Sequence, residues 1–186
     1  MSQTGKRFGA LTVLSIEDRK TGDAIVRAAQ QGDRAAFGAL YEQYSRMVHG
    51  ILLAHAPYGD VDDLMHDVFV RALRQLPALR DAGAFGGWLC AIARRAATDH
   101  ARARRRLLFR MPERSGGSRP DGEVFAVFAT IRQLPESYRE TLLLRLLEGM
   151  TGPEIASRTG LTPESVRVNL CRGMKMLREL LEGTKR

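Results

Sequence analysis

Only two cysteines, Cys90 and Cys171, occur in the 186 residues, and no C-x-x-C pair is present. A disulfide framework and a thiolate zinc site are therefore excluded, and a reducing, cytoplasmic setting is expected. His49, His55, His66 and His100 are scattered, and none has a second ligand at metal-binding spacing. Even His66 beside Asp67 reads as a partly exposed helix residue, so neither metal nor cofactor is expected. Also missing are a Gly-rich phosphate loop, a carboxylate cluster for a catalytic metal, and a nucleophile spaced to a base. No apolar run is long enough to cross a bilayer, which argues against membrane insertion. Lys6-Arg7 followed by Phe8 to Leu14 imitates a secretion signal only faintly, because it is short, lacks a small-residue cleavage site and runs into Glu17-Asp18. Residues 1–22 are expected to form a flexible leader.

What is present is positive charge, unevenly placed. The formal net charge is +8 and the isoelectric point about 10.2, which favours a polyanionic partner. Between Arg94 and Arg119 lie nine arginines against two acids, Asp99 and Glu113. By contrast, Gly59 to Asp67 reads G-D-V-D-D-L-M-H-D, with four aspartates and no Lys or Arg. The chain thus has electrostatically opposite faces.

Strand-like alternation is nearly absent and Ala, Leu, Arg and Glu dominate, so helices are expected throughout. The first runs from about Asp23 to Gln30. A second, Arg34 to His55, sets Phe37, Leu40, Tyr41, Tyr44, Val48, Ile51 and Leu52 at spacings of three and four. A third, from Asp60 or Val61 to about Gln75, turns Leu64, Val68 and Leu73 inward. Leu79 to Phe85 reads as a loop, and a fourth helix from Gly87 to about Arg106 turns Trp88, Ile92 and Ala96 inward. The segment 107–122, rich in Pro, Gly, Ser and Arg, reads as a linker. Helices then resume at Glu123 to Gln133 and Glu136 to Glu148. The fold class is all-α: two small helical domains, 23–106 and 123–186, joined by a flexible linker.

The last two helices carry the clearest chemistry. Thr151-Gly152-Pro153-Glu154 has capping-box spacing, and Gly160 can end that short helix with a positive φ. Thr162 is a good N-cap, Pro163 suits the first helical position, and Glu164 sits at the positive end of the dipole. Two helices joined by a short Gly-containing turn are a helix-turn-helix, whose second helix enters the DNA major groove. Val166, Leu170, Met174, Leu177 and Leu181 form its inner stripe. Arg167, Val168, Cys171, Arg172, Lys175 and Arg178 spread outward, where guanidiniums can pair with phosphate or guanine and small apolar groups with a thymine methyl.

Five stretches in order then carry a resemblance: A-A-F-G-A-L-Y-E-Q-Y from Ala35, D-V-D-D-L-M-H-D-V-F-V-R-A-L from Asp60, F-G-G-W-L-C-A-I-A-R-R-A-A-T-D-H-A-R from Phe85, L-P-E-S-Y-R-E-T-L-L-L from Leu134, and E-I-A-S-R-T-G-L-T-P-E-S-V-R from Glu154. Over roughly residues 23 to 182 the chain resembles bacterial RNA polymerase sigma factors of the extracytoplasmic-function type. The resemblance implies a sigma-2-like bundle and a sigma-4-like helix-turn-helix. It implies docking of the acidic helix on the β′ coiled coil of core polymerase through Asp63, Asp67, Phe69, Arg71 and Arg74. It implies capture of the single-stranded −10 element by Arg80, Phe85, Trp88, Arg94, Arg95, Asp99 and Arg102, although the spacing of Trp88 to Ile92 favours a core role for the indole. The C-terminal domain would read duplex −35 DNA through Arg167, Val168, Cys171, Arg172 and Lys175 and sit on the β flap. Arg95 stands where Asn is common after I-A-R, and Val168-Asn169 where a polar and basic pair is usual, so the promoter sequence is this chain's own. The short N-terminus is expected to lack the autoinhibitory domain of primary sigma factors, leaving silencing to an anti-sigma protein.

Two other readings compete. A stand-alone helix-turn-helix regulator binding an operator explains the C-terminal half equally well, but gives no reason for an acidic helix followed by an arginine-rich one. A nucleic-acid enzyme fits the charge but lacks the catalytic residues.

Overall fold

The computed structural model describes residues 21–108, 127 and 129–183. Helix α1 covers residues 21–30, α2 Arg34–His55, α3 Val61–Gln75, α4 Phe85–Leu108, α5 Glu136–Leu146, α6 Gly152–Thr159 and α7 Pro163–Gly183. Residues 129–131 are helical too, and no strand occurs among the described residues. Expected leader residues 1–20, linker residues 109–122 and the start of the helix expected at Glu123 lie outside the described residues. Residues 21 and 22 belong to α1, and residues 107 and 108 close α4.

Local chemistry sets most helix ends. The Asp33 carboxylate caps α2 by accepting from the backbone N–H of Ala35 and Ala36 at 2.8 and 3.1 Å. At α3 the Asp60 carboxylate makes no cap bond and is instead held by His100 Nε2 at 2.8 Å and Arg104 Nη1 at 3.1 Å, which ties the start of α3 to the far part of α4. Helix α4 begins at Phe85, two residues before the expected Gly87. The Asp81 side chain accepts from Gly83 N–H at 2.9 Å and sets a 3-10 turn, Ala82–Ala84, that runs straight into the helix. Gly86 and Gly87 thus lie inside the first turn of α4.

The core also departs from the simple stripes. On α3, Leu64, Val68, Phe69 and Ala72 are buried, whereas Leu73 is 50% exposed. Nine residues beyond Leu64, at about 100° per residue, Leu73 points about 180° away from it. Tyr41 is likewise exposed on α2, its ring 4.5 Å from that of Phe69. On α4 the buried set is Phe85, Leu89, Cys90, Ala93, Ala96 and Ala97, with Trp88 and Ile92 half-buried at its edge. Burial pushes the Cys90 thiol up to about 12, so it stays an uncharged core group.

The two halves share one core. Helix α5 packs along α2 on one side and against α7 on the other, which explains why the consecutive Leu142, Leu143 and Leu144 are all buried. Leu144 lies against Gly50, and Arg139 Nη1 donates to the carbonyl of Ala54 at 2.8 Å. His49 Nδ1 and Glu148 Oε1 are 2.7 Å apart, and this hydrogen bond raises the imidazole pKa against the opposing effect of burial. Helix α6 rests on α4 and α2.

Substituting Leu40, 1% exposed in this core, by Ala is expected to cost about 2–5 kcal/mol of unfolding free energy in urea titration. Leu73→Ser should stay within about 0.5 kcal/mol of the parent; a larger loss would put Leu73 inside.

Candidate nucleic-acid interface

Helix α7 is presented by a turn whose parts are all visible. The Thr151 side chain and Glu154 close a reciprocal capping box at the start of α6, and Gly160, at φ 75°, ends it. Leu161 packs on the core and Thr162 Oγ1 accepts from Ser165 N–H at 3.1 Å, so three residues separate the helices. Val166, Gly173 and Leu177 then face inward. Met174, expected in that stripe, is 37% exposed, because the close approach to α5 is made at Gly173, where a Cβ would come within 3.0 Å of Leu142 Cδ1. The helix backbone itself takes the inner position.

Its outer face carries Arg167, Cys171, Arg172, Lys175 and Arg178, all exposed, with Val168 half-buried beside them. Arg167 Nη2 is paired with Glu164 Oε1 at 2.6 Å in full solvent, a contact that a phosphate or a guanine edge can replace at little cost. Lys175 lies 4.0 Å from Glu179. Asn169 turns inward, its Nδ2 3.4 Å from Thr141 Oγ1, which leaves Val168 and Arg172 as the helix's middle outward positions.

On α4 and the loop before it the expected strand-binding residues separate into groups. Arg80, Arg95, Asp99 and Arg102 are exposed. Phe85 is 1% exposed, packed edge-on to Tyr44 at 5.0 Å and 5.7 Å from Trp88, so it shapes the loop from beneath and offers no surface to a base. Trp88 is half-buried against the same cluster, in keeping with its core spacing. Arg94 is half-buried and engaged by Glu140, a residue of the other half of the chain. On α3, Asp63, Asp67 and Arg74 lie on one exposed face, Arg71 pairs loosely with Asp99 at 3.8 Å, and Phe69 is buried beneath Tyr41. Tyr41 and Leu73 were not singled out as contact residues. As large apolar side chains left exposed beside this charged face, they extend it with the groups an interface favours. Among the described residues no group of acids, histidines and cysteines is placed to hold a metal, and no helix is long and apolar enough to cross a membrane.

Residues 40–107 match the Sigma-70 region 2 family and residues 125–177 the Sigma-70, region 4 family. The chain belongs to the sigma-70 family. Among curated proteins, the ECF RNA polymerase sigma-E factor of Escherichia coli (strain K12) is 29% identical over 184 residues, covering 87% of this chain and 95% of that protein. The sigma-E factor of Haemophilus influenzae is 27% identical over 189 residues, covering 90% of this chain and 98% of that protein. Among solved structures, CnrH in complex with the cytosolic domain of CnrY has a TM-score of 0.59 at 26% identity, over 87% of this chain and 97% of that one. The sigma factor RpoE of Bartonella quintana, crystallised with the anti-sigma factor NepR, shares the fold at a TM-score of 0.52 and 19% identity, over 77% of this chain and 93% of that one. Helices α2 to α4 thus fall in region 2 and α5 to α7 in region 4. The expected fold class holds.

Loss of the Thr162 cap should show directly: Thr162→Ala is expected to lower stability by about 1 kcal/mol and to reduce duplex DNA binding, through fraying of the first turn of α7. Calorimetry and a duplex-binding titration read both effects, and unchanged values would mean that the turn is held by Leu161 alone.

Proposed function

We propose that this chain is a sigma factor of the extracytoplasmic-function type, which binds core RNA polymerase and directs promoter recognition and transcription initiation. The observation that carries the reading is the joining, in sigma-70 order, of an acid-faced α3, an arginine-rich α4 and a capped helix-turn-helix with a basic outer face. Region 4 reads the −35 element as duplex: α7 enters the major groove, with Arg167, Val168, Cys171, Arg172 and Lys175 toward base edges and phosphates. Region 2 opens the −10 element. The loop around Arg80 receives an extruded base, and Arg94, Arg95 and Arg102 supply the positive track along the unpaired strand, with Asp99 beside it and Trp88 supporting it. The face of α3 with Asp63, Asp67, Arg71 and Arg74, supported by buried Phe69, docks on the β′ coiled coil, and region 4 docks on the β flap.

The chain performs no covalent chemistry in this role; it selects and holds DNA for the polymerase. It acts in the cytoplasm, without a cofactor. The proposed domain division, 23–106 for region 2, 107–122 for a linker and 123–186 for region 4, is adjusted at two ends, since residues 21 and 22 belong to α1 and residues 107 and 108 to α4. An anti-sigma protein is its regulator, a partner suggested by the structural likeness to CnrH, which is held by the cytosolic domain of CnrY in its solved structure.

Affinity for core polymerase, measured in moderate salt so that charge alone cannot hold the pair, tests the reading. Saturable one-to-one binding is expected, weakened by Asp63→Asn with Asp67→Asn while duplex binding by the helix-turn-helix is retained. Undetectable core binding would leave a stand-alone regulator. Arg172→Ala should cost about 1–3 kcal/mol in promoter affinity if its contact is bidentate to a base; a loss equal across all DNA sequences would assign it to phosphate.

A further inference from the structure

Among the described residues, Glu140 is a charged side chain buried in the core. It opens the buried run of α5, Glu140 to Leu144, its side chain is 7% exposed, and its partners Arg94 and His55 both belong to region 2. Arg94 grips it with two bonds, Nε to Oε2 at 3.0 Å and Nη2 to Oε1 at 2.6 Å, and His55 Nε2 reaches Oε2 at 3.3 Å. Burial alone would raise the carboxyl pKa, yet the bonds from His55 and Arg94 outweigh it and hold the group below the usual range. A second contact is independent of charge. The end of α6 sits on the first turn of α4, with the Arg158 carbonyl so close to Gly86 that a Cβ there would overlap it, and with Thr159 and Gly160 against Gly87. The Arg158 guanidinium donates to the Gln43 carbonyl and stands over the Tyr44 ring.

From these contacts we infer that the chain carries its own latch: region 4 clamps onto one edge of α4 through Glu140 and Arg158, leaving Arg95, Asp99 and Arg102 exposed, and in doing so withholds Arg94 from DNA. The inference rests on the proposed role of α4 at the −10 element. With Nε and Nη2 bidentate to a carboxylate, two of the five N–H donors and most of the charge of Arg94 are committed, so a phosphate must compete with Glu140 for the same guanidinium. The steric contact works in the same direction, because α6 covers the first turn of α4 beside Trp88. Two glycines at helical positions cost helix propensity relative to alanine, and the close seat for Arg158 is the use the structure makes of Gly86. Opening hydrates Glu140 and returns Arg94 to solvent, so the charged pair suits a reversible latch better than an apolar seal would. A ligand that binds only the open form, core polymerase or the promoter strand, shifts the population by its differential affinity, and the closed fraction lowers apparent strand affinity in proportion.

The test compares the full chain with its Gly86→Ala and Arg158→Ala variants, using circular dichroism to confirm unchanged helicity. Small-angle scattering gives the radius of gyration, and titration with a short fluorescent single-stranded oligonucleotide gives strand affinity. Gly86→Ala leaves the charge unchanged, and Arg158→Ala removes a positive charge, so a simple charge effect could only weaken binding. Both variants are expected to expand and to bind the strand several-fold more tightly. Glu140→Gln should do the same, while Glu42→Gln, an equal charge change at an exposed position, should not. Should Gly86→Ala fail to fold, the other two variants carry the test. Unchanged radii in folded variants would overturn the latch. Expansion without tighter strand binding would overturn the masking of Arg94, and core polymerase affinity measured on the same variants would show separately whether the sigma-factor role stands.

Discussion

The second half of α2 is enclosed on all sides. From Met47 to Ala56 every residue is buried except His49 and His55, and those two are the positions that meet acids from the other half of the chain. Helices α3 and α4 cover one side of it and α5 the other. A single helix therefore serves as the spine of both regions. Its apolar burial, at about 1.5–3 kcal/mol for each large side chain removed from water, is the term against which the polar features of the joint are set.

Those polar features are of a particular kind. The joint between the regions combines close-packed leucines with Arg94, His55 and Glu140, with the His49 and Glu148 pair, and with Arg139 on the Ala54 carbonyl. A buried pair of charges loses its hydration and recovers most of that cost in mutual attraction, so it contributes geometry more than net stability. Such a joint is well defined when closed and easily exchanged for water or phosphate when opened. That property fits a protein whose two DNA-reading regions must address separate promoter elements.

How legible the chain was depended on the range of the physics involved. The helix-turn-helix was readable almost residue by residue, because Thr151, Glu154, Gly160, Thr162 and Pro163 act within three or four positions of themselves. The exposed basic face of α7 followed from it. The inner stripes were less accurate: Leu73 and Met174 fit an apolar pattern but point outward, and the backbone at Gly173 takes the place expected for Met174, since a neighbouring helix at that level leaves no room for a side chain. At the proposed −10 and core-binding surfaces, Phe85 and Phe69 matched sequence patterns yet are buried beneath their neighbours. Glu140 left little trace, standing between Arg139 and Thr141 just before the three leucines, and nothing local names its partner.

By itself, then, the sequence determined the main helices, the caps of α6 and α7, the turn that presents α7, the separation of acidic from basic surface and the family to which the chain belongs. All of these are written in residue type and in spacings of a few positions, where backbone hydrogen bonding and side-chain periodicity operate. The tertiary structure alone decided that the two halves close on one another, that Gly86 seats the Arg158 carbonyl, and that Arg94 is held by a carboxylate 46 positions away. Contacts of that kind arise from the packing of surfaces distant in the chain, and no local preference records which surface will meet which.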